Sequence, residues 1–321
     1  MKITVIGCGR WGTFLSGYLS GLENSVLLYG RASSENLRQL ADTGKNEYME
    51  LDPSVSIETS LEKALGFSDH VFISIDSMQL RSLAGEINAL GFADRTYVLC
   101  MKGLENETGM RLTEVMEDVL GNDVRTAVLV GPGHVQNFVA GIPSCMVMDS
   151  KDTGLTKSLA AIVASPLIRL YYGEDIIGTE VGAAAKNVIG IAAGMLDGLG
   201  YSSLKGALMA RGAREVSRLV VAMGGNMETV YGLSHLGDYE ATLFSSYSRN
   251  RRLGEDFVLG RNFQRLAEGA STVRSLLVLS QKYNVDMPIS KVVHSVLYKN
   301  ADARESLVEL FVRPPKFEFR N

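Results

Sequence analysis

The 321-residue chain has only three cysteines, seven prolines and one tryptophan. Cys8, Cys100 and Cys145 are odd in number and widely spaced, and each lies in an apolar run, so we expect buried, reduced thiols rather than a disulfide framework. The four histidines show no metal-ligand spacing with one another or with the cysteines, so no metal site is expected. With 46% hydrophobic residues, the composition also excludes a disordered or collagen-like chain.

An excess of positive charge is absent as well. The chain has 32 Lys+Arg against 36 Asp+Glu, a net charge of −4, whereas binding to a phosphate backbone requires clustered cations. The basic segment 248–252 is short and lacks interleaved aromatic residues, so we expect no nucleic-acid partner. The beginning of the chain has no signal-peptide pattern, which favours a cytoplasmic protein.

Long hydrophobic runs are scarce, and one stretch, 181–200, resembles a membrane span by length alone. It is richer in Gly and Ala than in Leu or Ile and contains Lys186, Asn187 and Asp197. This composition favours a close-packed buried helix, so we expect no membrane insertion.

The first part of the chain alternates two kinds of pattern. Short β-branched or apolar runs are separated by helical patterns, and strands that alternate with crossover helices predict a doubly wound parallel sheet. The first runs are almost continuously apolar, as in parallel strands covered on both faces. The runs lie at 3–6, 25–29, 70–75, 96–101, 126–130, 144–148 and 168–172, with helices at 12–21, 60–65, 79–90 and 111–120.

From about residue 176 the pattern contains helices only. They are predicted at 178–199, 207–223, 251–259, 271–283 and 288–298. The sequence therefore predicts a Rossmann-type α/β domain over 1–176 and an all-α domain over 177–321, which agrees with a length prior of about two domains. Because no flexible linker separates them, we expect the two domains to pack tightly.

Glycine is the one residue type in excess, with 33 copies, and the first cluster follows the first strand. Gly7, Gly9 and Gly12 form a G-x-G-x-x-G pattern that leads into a helix. In such a turn the first glycine permits the bend, the second lets the backbone approach a pyrophosphate, and the third allows helix and strand to pack closely. The context favours dinucleotide binding, and the alternative is a strand–helix turn without a ligand.

The second predicted strand ends without the carboxylate that usually binds the ribose of NAD. Arg31, Ser33 and Ser34 follow it instead. A cation and two hydroxyls suit a 2′-phosphate, so the sequence favours NADP over NAD. The alternative is that Arg31 is a solvated loop cation.

Polar residues also occur where a hydrophobic core would not place them. Lys102 follows the strand at 96–101, at the sheet edge where ligands gather. Lys186 interrupts an Ala/Gly-rich helix, where desolvation would lower its pKa and suit acid–base chemistry, unless it reaches the surface. Ser248 can cap a helix, which would turn Arg249 and Asn250 toward an anion, although a solvated basic turn remains the alternative.

Together these segments resemble the bacterial type of NAD(P)-dependent sn-glycerol-3-phosphate dehydrogenase, over nearly the whole chain. The resemblance rests on the glycine turn with Trp11 and on segments 102–105, 182–188, 210–212, 236–238, 248–252 and 268–269. It implies reduction of dihydroxyacetone phosphate by hydride transfer from NADH or NADPH, feeding glycerophospholipid synthesis. It also implies that Lys186 is the catalytic acid/base and that Lys102 assists it.

The resemblance assigns the remaining site residues too. The expected cofactor contacts are Gly7, Gly9, Arg10, Trp11, Gly12, Arg31, Lys102, Val135, Arg249, Leu266 and Glu268. The expected contacts to a small phosphorylated substrate are Lys102, Gly131, Gly133, Lys186, Asn187, Asp238, Thr242, Ser248, Arg249 and Asn250.

Several segments depart from the family pattern, among them one loop of the expected site. This loop reads Gly131-Pro132-Gly133-His134-Val135, where the family usually has Gly-Pro-Ser/Thr-Phe-Ala, so a hydroxyl is missing at Gly133. Two alternatives therefore stay open: a reductase of another small phosphorylated or carboxylated keto compound, and a dinucleotide sensor without turnover. The apolar C-terminal helices are compatible with a homodimer.

Overall fold

A computed structural model of the protein describes residues 1–263, 267–312, 314, 317 and 318. An eight-stranded sheet lies in the first half, with the strand order β3-β2-β1-β4-β5-β6-β7-β8. All seven predicted strands are present, and the three-residue β3 is an addition. The strands are β1 (Lys2–Ile6), β2 (Ser25–Tyr29), β3 (Ser56–Glu58), β4 (His70–Ile73), β5 (Thr96–Leu99), β6 (Arg125–Val130), β7 (Ser144–Asp149) and β8 (Ile168–Tyr172).

The sheet is parallel except at one pair. β7 runs antiparallel to β6, and β8 is parallel to β7, so the predicted parallel sheet is confirmed except at this pair. A parallel crossover needs a connection of about a dozen residues or more, usually filled by a helix. The connection between β6 and β7 contains only a five-residue helix, which at a rise of about 1.5 Å per residue is too short to carry the chain back along β6. The chain therefore returns beside β6 in the opposite direction.

Helices cover both faces of this sheet. Ile3 and Val5 of β1 pack into one hydrophobic cluster and Ile6 into the other, which explains the almost continuously apolar strands. Cys8 and Cys100 are buried free thiols, but Cys145 on β7 is only partly buried, which corrects the expectation for that residue. The helices are α1 (Arg10–Gly21), α2 (Glu35–Thr43), α3 (Leu61–Phe67), α4 (Leu80–Ala89), α5 (Leu112–Leu120), α6 (Val135–Val139) and α7 (Thr153–Val163).

The second half is helical throughout the described residues, as predicted. Between its longer helices lie a 3₁₀ turn (Leu236–Asp238) and a short π-helical segment (Glu240–Phe244). The helices are α8 (Ile176–Gly198), α9 (Lys205–Ala222), α10 (Met227–Val230), α11 (Arg249–Val258), α12 (Glu268–Lys282), α13 (Pro288–Lys299) and α14 (Ala303–Phe311).

Helix α8 is the centre of this half. It is long and apolar enough to cross a membrane, but 94% of its most apolar 18-residue segment is buried inside the structure. This agrees with the predicted core helix. Small residues let α11 pack directly on it, because a Cβ on Gly194 would overlap the Arg251 carbonyl oxygen and one on Gly254 would overlap the Ile191 carbonyl oxygen. This close packing brings the first turn of α11 beside the middle of α8.

Candidate active site

A cleft of about 530 Å³ lies between the sheet and the C-terminal helices. Its floor is formed by the segments that follow β1, β4, β5 and β6, and its other wall by α8, the 236–244 region and the starts of α11 and α12. Ligands of doubly wound sheets bind at this carboxyl edge.

The glycine turn after β1 has the shape of a dinucleotide cradle. Gly7 has φ +111°, and a Cβ there would overlap the backbone of Ser74. A Cβ on Gly12 would overlap the Gly7 carbonyl oxygen, whereas the Cα of Gly9 faces open space. The turn is therefore closely packed at Gly7 and Gly12 and open toward the cleft at Gly9. The open side lies at the N-terminus of α1, where a pyrophosphate would bind.

The residues after β2 that were predicted to bind the 2′-phosphate of NADP differ in their positions relative to the cleft. Ser34 lines the cleft, caps α2 and lies 3.1 Å from Cys8 through its hydroxyl. Arg31 is exposed and does not line the cleft, so its contact with the cofactor remains a prediction. Asn36 and Tyr48 line this part of the cleft, and sequence reasoning missed both.

Two lysines converge on one carboxylate. The ammonium of Lys102 lies 2.6 Å from Oδ2 of Asp238 and donates to the Gly131 carbonyl at 2.8 Å. The ammonium of Lys186 lies 2.8 Å from the same Oδ2 and donates to the Thr242 hydroxyl at 2.6 Å. The sheet edge, α8 and the 3₁₀ turn thus meet at a single oxygen atom.

Lys186 is buried, which excludes the alternative of a lysine that reaches the surface. The pKa of Lys186 is lowered to about 8: burial is the main cause and the positive charge of Lys102 acts in the same direction, while Asp238 opposes both. An ammonium with a pKa near the working pH can both give and take a proton.

The start of α12 forms the next part of the wall. Asn187 donates to Glu268 at 3.3 Å, and burial raises the pKa of Glu268 to about 7, opposed by Lys102 and Lys186. Asn250 accepts a hydrogen bond from the Gly269 N–H at 2.9 Å. α11 and α12 are thus joined at their N-termini.

Arg249 provides the strongest indication of an anion. Ser248 caps α11 by accepting from the Arg251 N–H, as predicted, which places Arg249 in the first helical turn at the cleft. Nε of Arg249 is buried without a hydrogen-bond partner among the described residues. A buried guanidinium N–H next to a helix N-terminus is suited to a phosphate or carboxylate of a ligand.

The unusual loop after β6 lines the cleft as expected. Gly133 has φ +151°, and a Cβ there would lie 2.5 Å from the Phe138 ring, so the ring occupies the place of a larger side chain. His134 reaches across the cleft, with Nε2 2.9 Å from the Ala241 carbonyl oxygen and its ring against Tyr247. Sequence reasoning did not assign the cross-cleft contact of His134, because its partner is 107 positions away.

Most of the predicted residues meet in this cleft. Leu266 lies outside the described residues, Arg31 lies away from the cleft lining, and Gly12 supports the turn from behind. No cluster of three or more His, Cys, Asp or Glu placed to hold a metal occurs in the described parts of the chain. The predicted site residues that line the cleft are Gly7, Gly9, Arg10, Trp11, Lys102, Gly131, Gly133, Val135, Lys186, Asn187, Asp238, Thr242, Ser248, Arg249, Asn250 and Glu268.

A dinucleotide cradle, a buried lysine of lowered pKa and an anion site around one cleft define a nicotinamide-dependent oxidoreductase of a phosphorylated or otherwise anionic substrate. Comparison with known proteins identifies the family. Models of the N-terminal and C-terminal parts of NAD-dependent glycerol-3-phosphate dehydrogenase match residues 2–156 and 175–308. The chain therefore belongs to the NAD-dependent glycerol-3-phosphate dehydrogenase family.

Individual relatives are similar to this chain over almost their whole length. The chain is 35% identical to glycerol-3-phosphate dehydrogenase (NAD(P)+) of Chlorobium phaeobacteroides, with 99% of each chain covered. It is 34% identical to the enzyme of the same name from Fusobacterium nucleatum, covering 100% of this chain and 99% of the relative. The crystal structure of glycerol-3-phosphate dehydrogenase from Coxiella burnetii superposes with a TM-score of 0.91 at 28% identity, covering 97% of this chain and 99% of that one.

Proposed function

We infer that the protein interconverts dihydroxyacetone phosphate and sn-glycerol 3-phosphate, using NAD(H) or NADP(H). The observation that carries this inference is the pair of lysines on Asp238, Lys186 buried and Lys102 partly buried. The pair lies between the glycine turn after β1 and Nε of Arg249, which has no hydrogen-bond partner in the described part of the chain. The lysine pair is suited to proton transfer, the glycine turn to binding a dinucleotide, and Arg249 to binding a phosphate. The family membership agrees with each of them.

The cofactor, when bound, supplies or accepts a hydride at the carbon that carries the oxygen. The protein's part is to hold that carbon and to manage the charge on its oxygen. During reduction negative charge grows on the carbonyl oxygen, and Lys186 donates its proton there while Lys102 stabilises the charge. Asp238 keeps the two ammonium groups together before the substrate arrives.

Substrate orientation comes from the other end of the cleft. Arg249, with Asn250 beside it in the first turn of α11, binds the phosphate and thereby fixes the position of the carbonyl. Binding energy at a remote anion is in this way used for orientation, which can contribute several kcal/mol to catalysis.

We also propose the finer assignments that the sequence suggested. NADP is favoured over NAD because no carboxylate follows β2 and Ser34 lines the cleft. The division into a dinucleotide-binding domain over 1–176 and a helical domain over 177–321, a cytoplasmic location and a homodimer remain proposals as well.

An absorbance assay at the nicotinamide band tests the activity. Purified protein is mixed with dihydroxyacetone phosphate and either NADH or NADPH, and the product is identified as sn-glycerol 3-phosphate. We expect oxidation of the cofactor with at least one of them, and the ratio of the kcat/KM values decides the preference. Absence of oxidation with both, in protein that is folded, would overturn the proposal.

A pair of lysine variants tests the assignment of the acid. Lys186→Ala should lose about 10²- to 10⁴-fold in kcat, the usual contribution of a positioned acid. The control is Lys151→Ala, which removes a lysine paired with Glu117 on the surface and should leave kcat unchanged. Wild-type turnover in Lys186→Ala would refute the role of Lys186.

A further inference from the structure

Two buried aromatic residues lie just behind the cleft, and the function described above does not use them. His235 and Tyr239 both have no exposed surface, and neither lines the cleft. Nδ1 of His235 lies 2.7 Å from the carbonyl oxygen of Gly182, and Nε2 lies 2.7 Å from the Tyr239 hydroxyl. A histidine with both nitrogens bonded in the interior calls for an explanation, because an apolar residue would fill the same space without polar atoms to satisfy.

The chemistry of the partners fixes the direction of both hydrogen bonds. The Gly182 carbonyl only accepts, so Nδ1 of His235 carries the proton and donates it. Burial lowers the pKa of His235 to about 4, so the ring is neutral near pH 7 and its Nε2 accepts from the Tyr239 O–H. The result is a directed chain from Tyr239 through His235 to Gly182.

This chain joins the two elements that bring Lys186 and Asp238 together. Gly182 lies one turn before Lys186 on α8, and His235 and Tyr239 flank the 3₁₀ turn that ends at Asp238. The contact favours glycine on the helix, since a Cβ at Gly182 would lie only 3.0 Å from Cβ of His235. The helix and the turn are thus connected twice, by the ion pair inside the cleft and by the imidazole one helical turn away.

We propose that His235, held by Tyr239, is a positioning residue that keeps the carboxylate of Asp238 in register with the ammonium of Lys186. The ion pair alone joins two flexible side chains, whereas the imidazole bonds to the backbone of α8 and therefore fixes the main chain of the turn against the helix. This inference rests on the proposed function, because it takes Lys186 as the acid.

The expected consequences follow from the groups around Lys186. Asp238 favours the charged form of Lys186, whereas burial and Lys102 disfavour it, and Glu268 lies farther along the cleft wall. If the turn shifts and Asp238 moves away, Lys186 loses its favourable partner and releases its proton at lower pH. Cofactor and phosphate contacts lie on other elements, so KM should change little.

Three variants separate positioning from packing. His235→Leu removes both hydrogen bonds, and Tyr239→Phe removes only the hydroxyl. His235→Asn keeps a side-chain N–H at the place of Nδ1 and tests rescue of the bond to Gly182. The control, Tyr97→Phe, removes the hydroxyl of another fully buried tyrosine, which donates to the Phe92 carbonyl away from the cleft.

The measurements are kcat and KM for dihydroxyacetone phosphate across pH 6–10, with thermal unfolding of each variant. For His235→Leu we expect kcat to fall about 10- to 100-fold, the scale of a small misplacement in an active site, with KM changed less than about twofold. The alkaline limb of kcat should move to lower pH. Tyr239→Phe should show the same changes in weaker form, His235→Asn should recover most of kcat, and Tyr97→Phe should lose only stability.

A lysine-selective NMR titration of the Lys186 ammonium gives a readout that does not depend on turnover. The inference predicts that Lys186 titrates at lower pH in His235→Leu and Tyr239→Phe than in the wild type. Unchanged titration in both variants, or loss of stability with unchanged kcat and pH profile, would overturn it. If His235→Leu does not fold, Tyr239→Phe decides alone. If the wild type does not turn over dihydroxyacetone phosphate, the proposed activity fails while the titration still tests the positioning.

Discussion

The ammonium groups of Lys102 and Lys186 are bound to the same atom, Oδ2 of Asp238, at 2.6 and 2.8 Å. The two lysines lie 84 positions apart, one at the edge of the sheet and the other in the centre of a buried helix. A single carboxylate between two cations leaves one positive charge uncompensated within the triad. That charge faces the cleft, where a carbonyl oxygen that becomes negative would be stabilised.

Asp238→Asn tests this arrangement. The substitution preserves shape but leaves two neighbouring cations without their shared partner, and a buried charge without its partner is strongly destabilising. Lys186 should therefore lose its proton more readily, and kcat for reduction near pH 7.5 should fall about 100-fold or more. The measurement is kcat at saturating substrate, together with thermal unfolding.

Asp149→Asn is the matched control for that substitution. Asp149 is fully buried and accepts from the Thr179 hydroxyl at 2.7 Å, but it does not line the cleft. It should change stability and leave kcat close to that of the wild type. Equal kcat values for Asp238→Asn and the wild type would contradict the shared role of the carboxylate.

The pH dependence of reduction and of oxidation follows from the protonation state of Lys186. Lys186 must be protonated to reduce the ketone and unprotonated to oxidise the alcohol, and its pKa is lowered to about 8. The kcat for reduction should therefore be flat below about pH 8 and fall about tenfold per pH unit above it, while the kcat for oxidation rises through the same range. The limbs should disappear in the residual activity of Lys186→Ala. Profiles without opposite limbs would show that another group limits the proton transfer.

Much of the fold could be predicted from the sequence because its signals are local. Continuous apolar runs such as 3–6 mark strands covered on both faces, and Ser248 marks the start of α11 through its own side chain. The start of α12 was predicted at residue 271 but lies at Glu268. The bond from the Gly269 N–H to Asn250 satisfies its first turn from a distant part of the chain, and no local pattern reports such a contact.

The same distinction holds for the site. The glycine turn is a local motif and could be recognised from spacing alone. The environment of Lys186 could not be predicted in this way, because the helix pattern is compatible with both a buried and an exposed side chain. Asp238, 52 positions later, decides between them, and that pairing exists only once α8 and the 3₁₀ turn have packed together.

The glycine turn makes a prediction that separates folding from cofactor binding. A Cβ at Gly12 would overlap the Gly7 carbonyl oxygen, whereas a Cβ at Gly9 meets no atom within 4 Å. Gly12→Ala should therefore lower the free energy of unfolding by about 1–3 kcal/mol, the usual cost of overpacking. Gly9→Ala should leave stability nearly unchanged and weaken NADH or NADPH binding, because its methyl group enters the space of the pyrophosphate. Thermal unfolding and a fluorescence titration with the cofactor measure the two effects, and equal losses of stability in both variants would contradict this separation.

Gly133 allows a test of whether the missing hydroxyl of the family loop limits this protein. A side chain there meets the Phe138 ring at 2.5 Å and must adopt φ +151°, a conformation that disfavours residues other than glycine. We therefore expect Gly133→Ser and Gly133→Ala to lose stability to a similar degree, by about 1–3 kcal/mol, and to lower kcat/KM for dihydroxyacetone phosphate equally. The comparison isolates the hydroxyl, since the two variants differ by one oxygen atom. A kcat/KM for Gly133→Ser that clearly exceeds that of both Gly133→Ala and the wild type would show that a hydroxyl still improves substrate binding here and that the glycine weakens it.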